Sequence, residues 1–243
     1  MYRAFRIEKS GIVDANNTYE NQVKKIITEQ ENLIKTSLDG FTLSNGSLDG
    51  SKMSKDWFPE IKADVFISHS HLDNKNAIVF AGWLKKHFGL TAFIDSTVWK
   101  YSKDLQILID DKIKNENKKS NYNYDDVIYS SSHIHMMLAS ALTMMMNKTE
   151  VLFFLETPNS LAVNSRSDKT LSPWIYYEIT MFKYIKKSEN VVKSLTEGKV
   201  ASLKIEHEVD FSNFKKLTKN DLLKWKEQKS GNGLSTLNAL YDL

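Results

Sequence analysis

A tryptophan and a glutamate lie four residues apart near the start of a predicted helix. Ser172 and Pro173 mark the beginning of this helix, because serine is a common N-cap and proline a common first helical residue. The helix is expected to run to about Lys187. Residues at this spacing share a helix face, so the indole of Trp174 and the carboxylate of Glu178 should project together. Such a carboxylate can stabilise positive charge or polarise a sugar hydroxyl; a core tryptophan beside a solvated glutamate is the structural alternative.

Two His-x-His pairs, His69/His71 and His133/His135, are further groups that could do chemistry. Four imidazoles could bind zinc if the fold brought them together. The second pair falls in a predicted helix, however, where residues two apart face different directions, and no Asp or Glu spacing reinforces a metal site. Ser68 and His69 are unsuited to act as a nucleophile and its base, because adjacent residues on a strand point to opposite faces. We therefore expect no metal site.

The composition excludes several classes of protein. The 243 residues contain no cysteine, which excludes disulfide scaffolds, iron–sulfur proteins and cysteine-ligated zinc. The formal net charge is only +3 and the lysine clusters are short, so we expect no nucleic-acid partner. The longest apolar stretch, residues 136–146, is far short of a membrane span. Neither a Walker loop nor a G-x-G-x-x-G motif is present. We expect a cytoplasmic protein with no membrane partner.

Strands and helices alternate from residue 63 onward. Residues 63–68 form an apolar run rich in β-formers, residues 73–88 carry a helical stripe, and residues 91–95 form a second short strand. Gly89 stands where a helix C-cap glycine belongs. This arrangement predicts a βαβ unit.

The same alternation continues through the middle of the chain. A loop is predicted over residues 96–103, a helix over 105–113, an inserted loop over 115–126 and a helix over 131–146. The most apolar run, residues 151–155, is the best candidate for a central strand. The pattern predicts an α/β fold with an open, mostly parallel sheet that is covered by helices on both faces.

The two ends of the chain are predicted to lie outside this core. Residues 1–60 are interpreted as an N-terminal extension, with an amphipathic helix over 18–36 and a loop over 38–51. Trp57 and Phe58, which follow this loop, are expected to pack on the next domain.

Near the C-terminus, strict alternation over residues 203–211 indicates a strand, and residues 221–229 indicate a final helix. The predicted domains are therefore the extension, a central domain over residues 61–215, and a helix and tail over 216–243.

A site can be located from the predicted sheet alone. In an open parallel sheet, ligands bind beyond the carboxyl ends of the strands, near the point where the strand order reverses. This rule selects residues 68–71 after the first strand, residues 95–104 after the second, and the loop and helix start that follow Leu155.

These segments resemble a TIR (Toll/interleukin-1 receptor) domain. Residues 64–68, Asp-Val-Phe-Ile-Ser, resemble its first strand; residues 93–95, Phe-Ile-Asp, resemble its second; and residues 96–104 are similar to its BB loop. The run over 151–155 together with residues 172–178 is similar to the third strand and following helix of the NAD-cleaving branch. The resemblance covers roughly residues 62–215.

Within that family, the chain is similar to bacterial TIR proteins of anti-phage systems such as Thoeris, through residues 132–137 and 157–160. Two departures stand out. Ser70 and His71 occupy positions where eukaryotic NAD-cleaving TIR domains resemble one another in having basic residues. The segment similar to the BB loop also lacks the usual glycine.

The resemblance implies a flavodoxin-like, five-stranded parallel sheet and cleavage of the bond between nicotinamide and ribose in NAD+, which is a substrate and not a cofactor. It implies that Glu178 is the catalytic residue. The residues that the resemblance and the sheet rule together place around the substrate are Trp174, His69, Ser70, His71, Asp95 and Trp99. The product is expected to be ADP-ribose, a cyclic isomer or a conjugate.

The resemblance also implies partners and leaves alternatives. Expected partners are further copies of the chain, through TIR–TIR contacts, and a cognate effector protein that responds to the product. One alternative is a non-enzymatic TIR adaptor that acts by assembly. A second is an enzyme similar to nucleoside deoxyribosyltransferases, with a glutamate nucleophile.

Overall fold

The computed structural model describes residues 3–8, 23–25, 27–28, 32, 38, 40–118, 120–162, 168–185 and 206–243, with the backbone alone at residues 97–100. The strands in these ranges are β1 (Arg3–Glu8), β2 (Val65–Ser68), β3 (Ala92–Ile94), β4 (Val151–Glu156), β5 (Lys169–Thr170), β6 (His207–Glu208) and β7 (Phe214–Leu217). Five of them form one sheet in the order β3-β2-β4-β1-β7, and all its pairings are parallel. The protein is therefore α/β with a five-stranded parallel sheet, consistent with the flavodoxin-like fold that was predicted.

The N-terminal strand β1 lies inside this sheet, between β4 and β7. Arg3 pairs with Val151 of β4, and Ala4 pairs with Phe214 of β7. Residues 1–60, which we assigned to an N-terminal extension, therefore include a strand of the sheet. In the flavodoxin-like order 2-1-3-4-5, β2 corresponds to strand 1, β3 to strand 2, β4 to strand 3 and β7 to strand 5. The position of strand 4 is occupied by β1.

The helices with defined bounds are α1 (Gly50–Trp57), α2 (Asn74–Phe88), α3 (Ser96–Glu116), α4 (Tyr124–Lys148), α5 (Pro173–Ile185), α6 (Lys219–Gln228) and α7 (Leu237–Tyr241). Most of the helix predicted over residues 18–36 lies outside the described residues, of which 23–25 and 27–28 are helical. In the part of the chain that the structure describes, no helix is both long and apolar enough to cross a membrane.

Helices cover both faces of the sheet, as predicted. Val151, Phe153 and Leu155 of β4 pack into the core formed with α2, α6 and α7. Leu152 and Phe154 pack into the opposite core, formed with α1, α3, α4 and α5. Successive side chains of a strand point to opposite faces, so an unbroken apolar run is what a strand buried on both sides requires.

The loop predicted over residues 96–103 is wrong, because α3 begins at Ser96. The side chain of Asp95 accepts a hydrogen bond from the Ser96 N–H, and the segment holds neither glycine nor proline. Tyr101 and Leu105 share a helix face and are buried in the core. Burial of these two side chains favours a helix that begins directly after Asp95. The first turn of α3 therefore borders the sheet edge where the site was predicted.

The segment before β2 also contains more structure than the sequence suggested. The predicted loop over residues 38–51 overlaps α1, whose N-cap is the side chain of Asp49. Trp57 and Phe58 are buried in the core, which confirms the packing predicted for them. Gly89 ends α2 with φ of 71°, in the left-handed region that favours glycine, as predicted.

The C-terminal strand of the central sheet was not predicted. The strand expected over residues 203–211 appears as β6, which pairs antiparallel with β5 and not with the central sheet. The fifth strand is β7, which precedes α6 directly. Two of its four residues, Lys215 and Lys216, are exposed, so its pattern is too polar to indicate a strand of the main sheet.

Candidate functional site

The carboxyl ends of β2, β3 and β4 lie at the same edge of the sheet, since these strands are parallel neighbours. The chain leaves β2 for β3 on one side and then returns to β4 on the other, so the strand order reverses at β2. Ligands of open parallel sheets bind beyond the carboxyl ends at such a point. His69 follows β2, Asp95 follows β3 and Thr157 follows β4.

Glu178 of α5 is brought to this edge and is fully buried. The Oγ of Ser68, the last residue of β2, donates a hydrogen bond of 2.6 Å to Oε2 of Glu178. Ile175, Ile179 and Phe182 of the same helix are also buried. Glu178 therefore lies on the apolar face that docks α5 onto the sheet, and the solvated alternative for this residue is wrong.

Asp95 is the second buried carboxyl group of the site. Its side chain accepts a 2.7 Å hydrogen bond from the backbone N–H of Ser96. Nδ1 of His69 lies 2.7 Å from Oδ1 of Asp95. Ser68 and Asp95 directly follow the paired residues Ile67 and Ile94, so Asp95 lies beside the serine that binds Glu178.

The environment favours the neutral form of Glu178. Burial raises the pKa of Glu178 well above the ordinary value, and the negative charge of Asp95 raises it further, while the hydrogen bond from Ser68 acts in the opposite direction. Oε1 of Glu178 receives no hydrogen bond from a donor in the described residues. The site therefore favours a neutral Glu178, and the second oxygen of this group has no hydrogen-bond partner among the described residues.

His69 is buried beside this pair. Burial alone would lower its pKa, but the charges of Asp95 and Asp73 and its hydrogen bond to Asp95 outweigh burial, and the pKa of His69 is raised. Its Nε2 atom has no partner among the described residues. Its orientation is fixed by Asp95, so the imidazole has one bound nitrogen and one unoccupied nitrogen.

Asp73 joins the segment after β2 to the loop after β4. Oγ1 of Thr157 donates to Oδ2 of Asp73 at 2.5 Å, and Nδ2 of Asn159 donates to Oδ1 at 3.1 Å. Thr157 also accepts hydrogen bonds from the backbone N–H groups of Asn159 and Ser160. This network holds the two loops that flank Ser68 and His69 in a fixed relation.

The other predicted site residues differ in their placement. Ser70 is half-buried and His71 is exposed, at the start of a short 3-10 helix over His71–Asp73. The half-buried ring of Trp174 packs against His135 of α4 and against Tyr177. Trp99 lies in the first turn of α3, and its side chain is outside the described part of the structure. Of the predicted residues, the structure thus unites Glu178, Asp95 and His69.

The sheet rule selected the segments that contain Ser68 and Thr157, but the sequence analysis assigned no role at the site to either residue or to Asp73. A signal for Ser68 was present, since it is the one hydroxyl in an otherwise apolar strand. Asp73 was interpreted only as the start of a helix. Their roles depend on pairings across 110 and 84 residues, to Glu178 and Thr157 respectively, and spacing along the chain carries no information about these.

Three histidines of the two His-x-His pairs make separate contacts. His69 is bound to Asp95, His133 packs against Tyr129, and His135 packs against Trp174. Among the described residues, no group of three or more His, Asp or Glu side chains could hold a metal ion.

Fold and site together define an α/β protein whose parallel sheet carries a buried pair of carboxyl groups at the point where its strand order reverses. Comparisons with protein-family models, with curated proteins and with solved structures find no match for this chain. Its function is therefore inferred from the chemistry of the site residues.

Proposed function

We propose that this protein is a cytoplasmic TIR-like NAD+ nucleosidase that cleaves the bond between nicotinamide and ribose. Its product is ADP-ribose, a cyclic isomer or an ADP-ribose conjugate, which acts as a signal in bacterial anti-phage immunity. The observation that supports this proposal is the carboxyl group of Glu178, buried beyond β2 with one oxygen held by Ser68 and the other unoccupied.

The reaction needs a carboxylate more than it needs an acid. As the bond between ribose C1′ and nicotinamide nitrogen breaks, its electron pair moves onto the pyridinium ring, and neutral nicotinamide leaves. The ribose then carries oxocarbenium-like positive charge, as in glycoside hydrolysis. Glu178 in its ionised form stabilises that charge and holds the ribose hydroxyls. Water or another nucleophile then adds to C1′.

The remaining site residues have roles in binding. Ser70 and the exposed His71 can donate hydrogen bonds to the pyrophosphate, since they follow Ser68 on the same segment. Trp174 lies four residues before Glu178 and Trp99 lies four residues after Asp95, and we assign both rings to contacts with nicotinamide or ribose.

The site must open before substrate can bind, because Glu178 has no exposed surface in this structure. The groups that cover it belong to the ends of β2 and β3 and to α5, so relative movement of these segments is required. We assign this opening to TIR–TIR self-association. The downstream partner in this proposal is an effector protein that binds the product.

The decisive experiment measures nicotinamide release from NAD+ by the purified protein at high concentration, where self-association is favoured. Glu178→Ala and Glu178→Gln are expected to abolish release. Glu227→Gln is the matched control, because Glu227 is an exposed glutamate of α6, on the other face of the sheet. Full activity in Glu178→Ala refutes the assignment.

One structural feature favours the alternative of a non-enzymatic adaptor. Tyr129, Met136 and Met144 are exposed on one side of α4, with the exposed His133 and Ser140 between them. An adaptor keeps its biological function in Glu178→Gln and loses it when these three large side chains are made polar. A deoxyribosyltransferase-like enzyme instead turns over deoxynucleosides and leaves NAD+ intact, so both substrates belong in the assay.

A further inference from the structure

His69 has a buried ring nitrogen, Nε2, that makes no hydrogen bond within the described part of the chain. A buried polar atom without a partner is costly to the fold, so such an atom calls for an explanation in terms of a ligand or a role in chemistry. Oε1 of Glu178 is in the same condition at the same edge of the sheet. The mechanism proposed above uses Glu178 and gives His69 no part in the reaction.

The imidazole of His69 lies on the side of the sheet that α5 covers. The rings of Phe66 and Phe93 pack together in the core on this side, and Ser68 and Asp95 follow them two residues further along. Residues two apart in a strand point to the same face, so Ser68 and Asp95 both face α5. Nδ1 of His69 lies 2.7 Å from Oδ1 of Asp95, which holds the ring beside them.

The tautomer of His69 follows from the groups around Nδ1. Two acceptors face this nitrogen: Oδ1 of Asp95 at 2.7 Å and the carbonyl oxygen of Ile67 at 3.4 Å. Nδ1 therefore carries a hydrogen, and the neutral ring keeps its lone pair on Nε2. Burial lowers the pKa of His69, but its interactions with Asp95 and Asp73 outweigh burial and raise it. Nε2 is thus a stronger base than in an ordinary histidine.

We propose that His69 is the general base of the reaction and Asp95 its positioning residue: Nε2 takes the proton of a water or alcohol molecule whose oxygen adds to ribose C1′. This inference rests on the proposed function and names the acceptor class of the same site, a nucleophile with an O–H bond. A lone pair of the oxygen forms the bond to C1′. The O–H bond breaks, its electron pair stays on the oxygen, and the proton moves to Nε2 and then to solvent.

Nucleophiles differ in whether they need this base. Nicotinamide can return to C1′ through its ring nitrogen, which has no proton to lose. Exchange of free nicotinamide into NAD+ therefore needs the charge stabilisation that Glu178 supplies, but no base. Water and methanol must each lose a proton as they add, so they need both residues. Loss of His69 should lower hydrolysis and methanolysis and spare exchange.

The test measures three rates in one reaction of the purified protein at high concentration with NAD+, isotope-labelled nicotinamide and methanol. The products followed are ADP-ribose, its methyl glycoside and labelled NAD+. His69→Asn keeps an N–H group near the position of Nδ1, which can still donate to Asp95, and removes Nε2. We expect hydrolysis and methanolysis to fall by about 10²-fold, with exchange close to wild type. Glu178→Gln should abolish all three rates.

Asp95→Asn tests the positioning role. Asparagine remains a good N-cap for α3 but has no charge to hold Nδ1–H. The variant should lose hydrolysis and methanolysis selectively. Combined with His69→Asn it should lose no more than His69→Asn alone, because two residues that act as a unit are not additive. A purely structural role would lower all three rates together.

A matched control histidine lies on α2. His87 is half-buried and packs against Trp83, at the end of this helix remote from the site. His87→Asn should leave all three rates unchanged. Circular dichroism establishes that each variant is folded, and Asp95→Asn carries the test if His69→Asn does not fold.

The outcomes separate this inference from the proposed function. If the wild-type protein neither releases nor exchanges nicotinamide, the proposed function fails and the role of His69 fails with it. If it exchanges nicotinamide but transfers ADP-ribose to neither water nor methanol, cleavage stands and the general base is refuted. An unchanged ratio of hydrolysis to exchange in folded His69→Asn also overturns the role of His69 and leaves the proposed function intact.

Discussion

The hydroxyl of Ser68 donates a 2.6 Å hydrogen bond to Glu178, joining the last residue of β2 to the second turn of α5. Both side chains are buried. A buried carboxyl group on the docking face of a helix is costly to the fold, and one hydroxyl compensates for only part of that cost. Such a residue opposes stability, which is typical of groups that a protein retains for chemistry.

Replacing Glu178 by glutamine should increase the free energy of unfolding at neutral pH. The native state holds the proton of Glu178 to higher pH than the unfolded chain does. Wild-type stability therefore falls as pH rises from the ordinary glutamate pKa of about 4.3 to the raised native value. Glutamine has no such loss, and its amide oxygen can accept from Ser68.

Urea unfolding of both proteins at about pH 4 and about pH 7 checks this expectation. The advantage of Glu178→Gln should be present at the higher pH and should nearly vanish at the lower one. A variant that is less stable than wild type at neutral pH would show that Glu178 is ionised and well paired in the native state.

Breaking strand β1 should unfold the central sheet, because this strand lies between β4 and β7. Ile7 is fully buried and pairs with Leu155 on one side and Leu217 on the other. Ile7→Pro removes a backbone donor inside the sheet, and we expect no cooperative thermal transition by circular dichroism. Ile7→Val is the control and should cost only about 1 kcal/mol. A wild-type melting temperature in the proline variant contradicts the position of β1.

The sequence predicted the fold best where a strand is buried along its whole length. The run over residues 151–155 faces core on both sides, and its composition alone indicates a central strand. Strand β1 also lies inside the sheet, but Arg3, Arg6 and Glu8 are only partly buried. Three charged residues among six give β1 the sequence pattern of a surface segment. Arg6 pairs with Glu156 of β4, and Glu8 pairs with Lys216 of β7, and such pairs between distant residues cannot be seen in local sequence.

The sequence predicted where the site lies better than it predicted which side chains contact one another there. The rule for open sheets selected the segments that hold His69, Asp95 and Glu178, and the structure brings these three together. Trp174 and Glu178 lie on one helix, as the Ser172-Pro173 start signal predicted. The i, i+4 rule predicted that they project together, but Trp174 packs on α4 while Glu178 contacts the end of β2. Helical spacing does not define which neighbours an element will meet.

Arg6 should be the polar side chain whose loss most weakens the attachment of β1. Its guanidinium donates to both Glu156 and Asp168 and lies over the ring of Phe211. Arg6 is 16% exposed and its two partners 24% and 39%, between a surface pair and a buried one. Arg6→Met should therefore cost about 2 kcal/mol.

Arg6→Lys keeps the charge and loses the planar fork, so an intermediate cost of about 1 kcal/mol is expected. The control is Lys112→Met, which removes a more exposed pair with Glu116 on α3 and should cost less than about 0.5 kcal/mol. Urea denaturation of Arg6→Met, Arg6→Lys and Lys112→Met measures the free energy of unfolding that each variant loses. Equal effects at Arg6 and Lys112 would mean that the network contributes no more than a surface pair.

Thr157 should be needed for activity as well as for stability, because its hydroxyl holds Asp73 and thereby fixes the segment that carries Ser68 and His69. Thr157→Val keeps the shape and leaves a buried carboxylate short of a donor, which should cost about 2 kcal/mol. Thr149→Val is the control, because Thr149 is also buried but lies at the opposite end of β4. Thr149 loses its hydrogen bond to the carbonyl of Met146, whereas Thr157 loses one donated and two accepted hydrogen bonds. Both variants should unfold at lower urea, and Thr157→Val alone should lower nicotinamide release under conditions where it remains folded. Equal activity in the two folded variants would show that the network around Asp73 supports the fold without positioning the site.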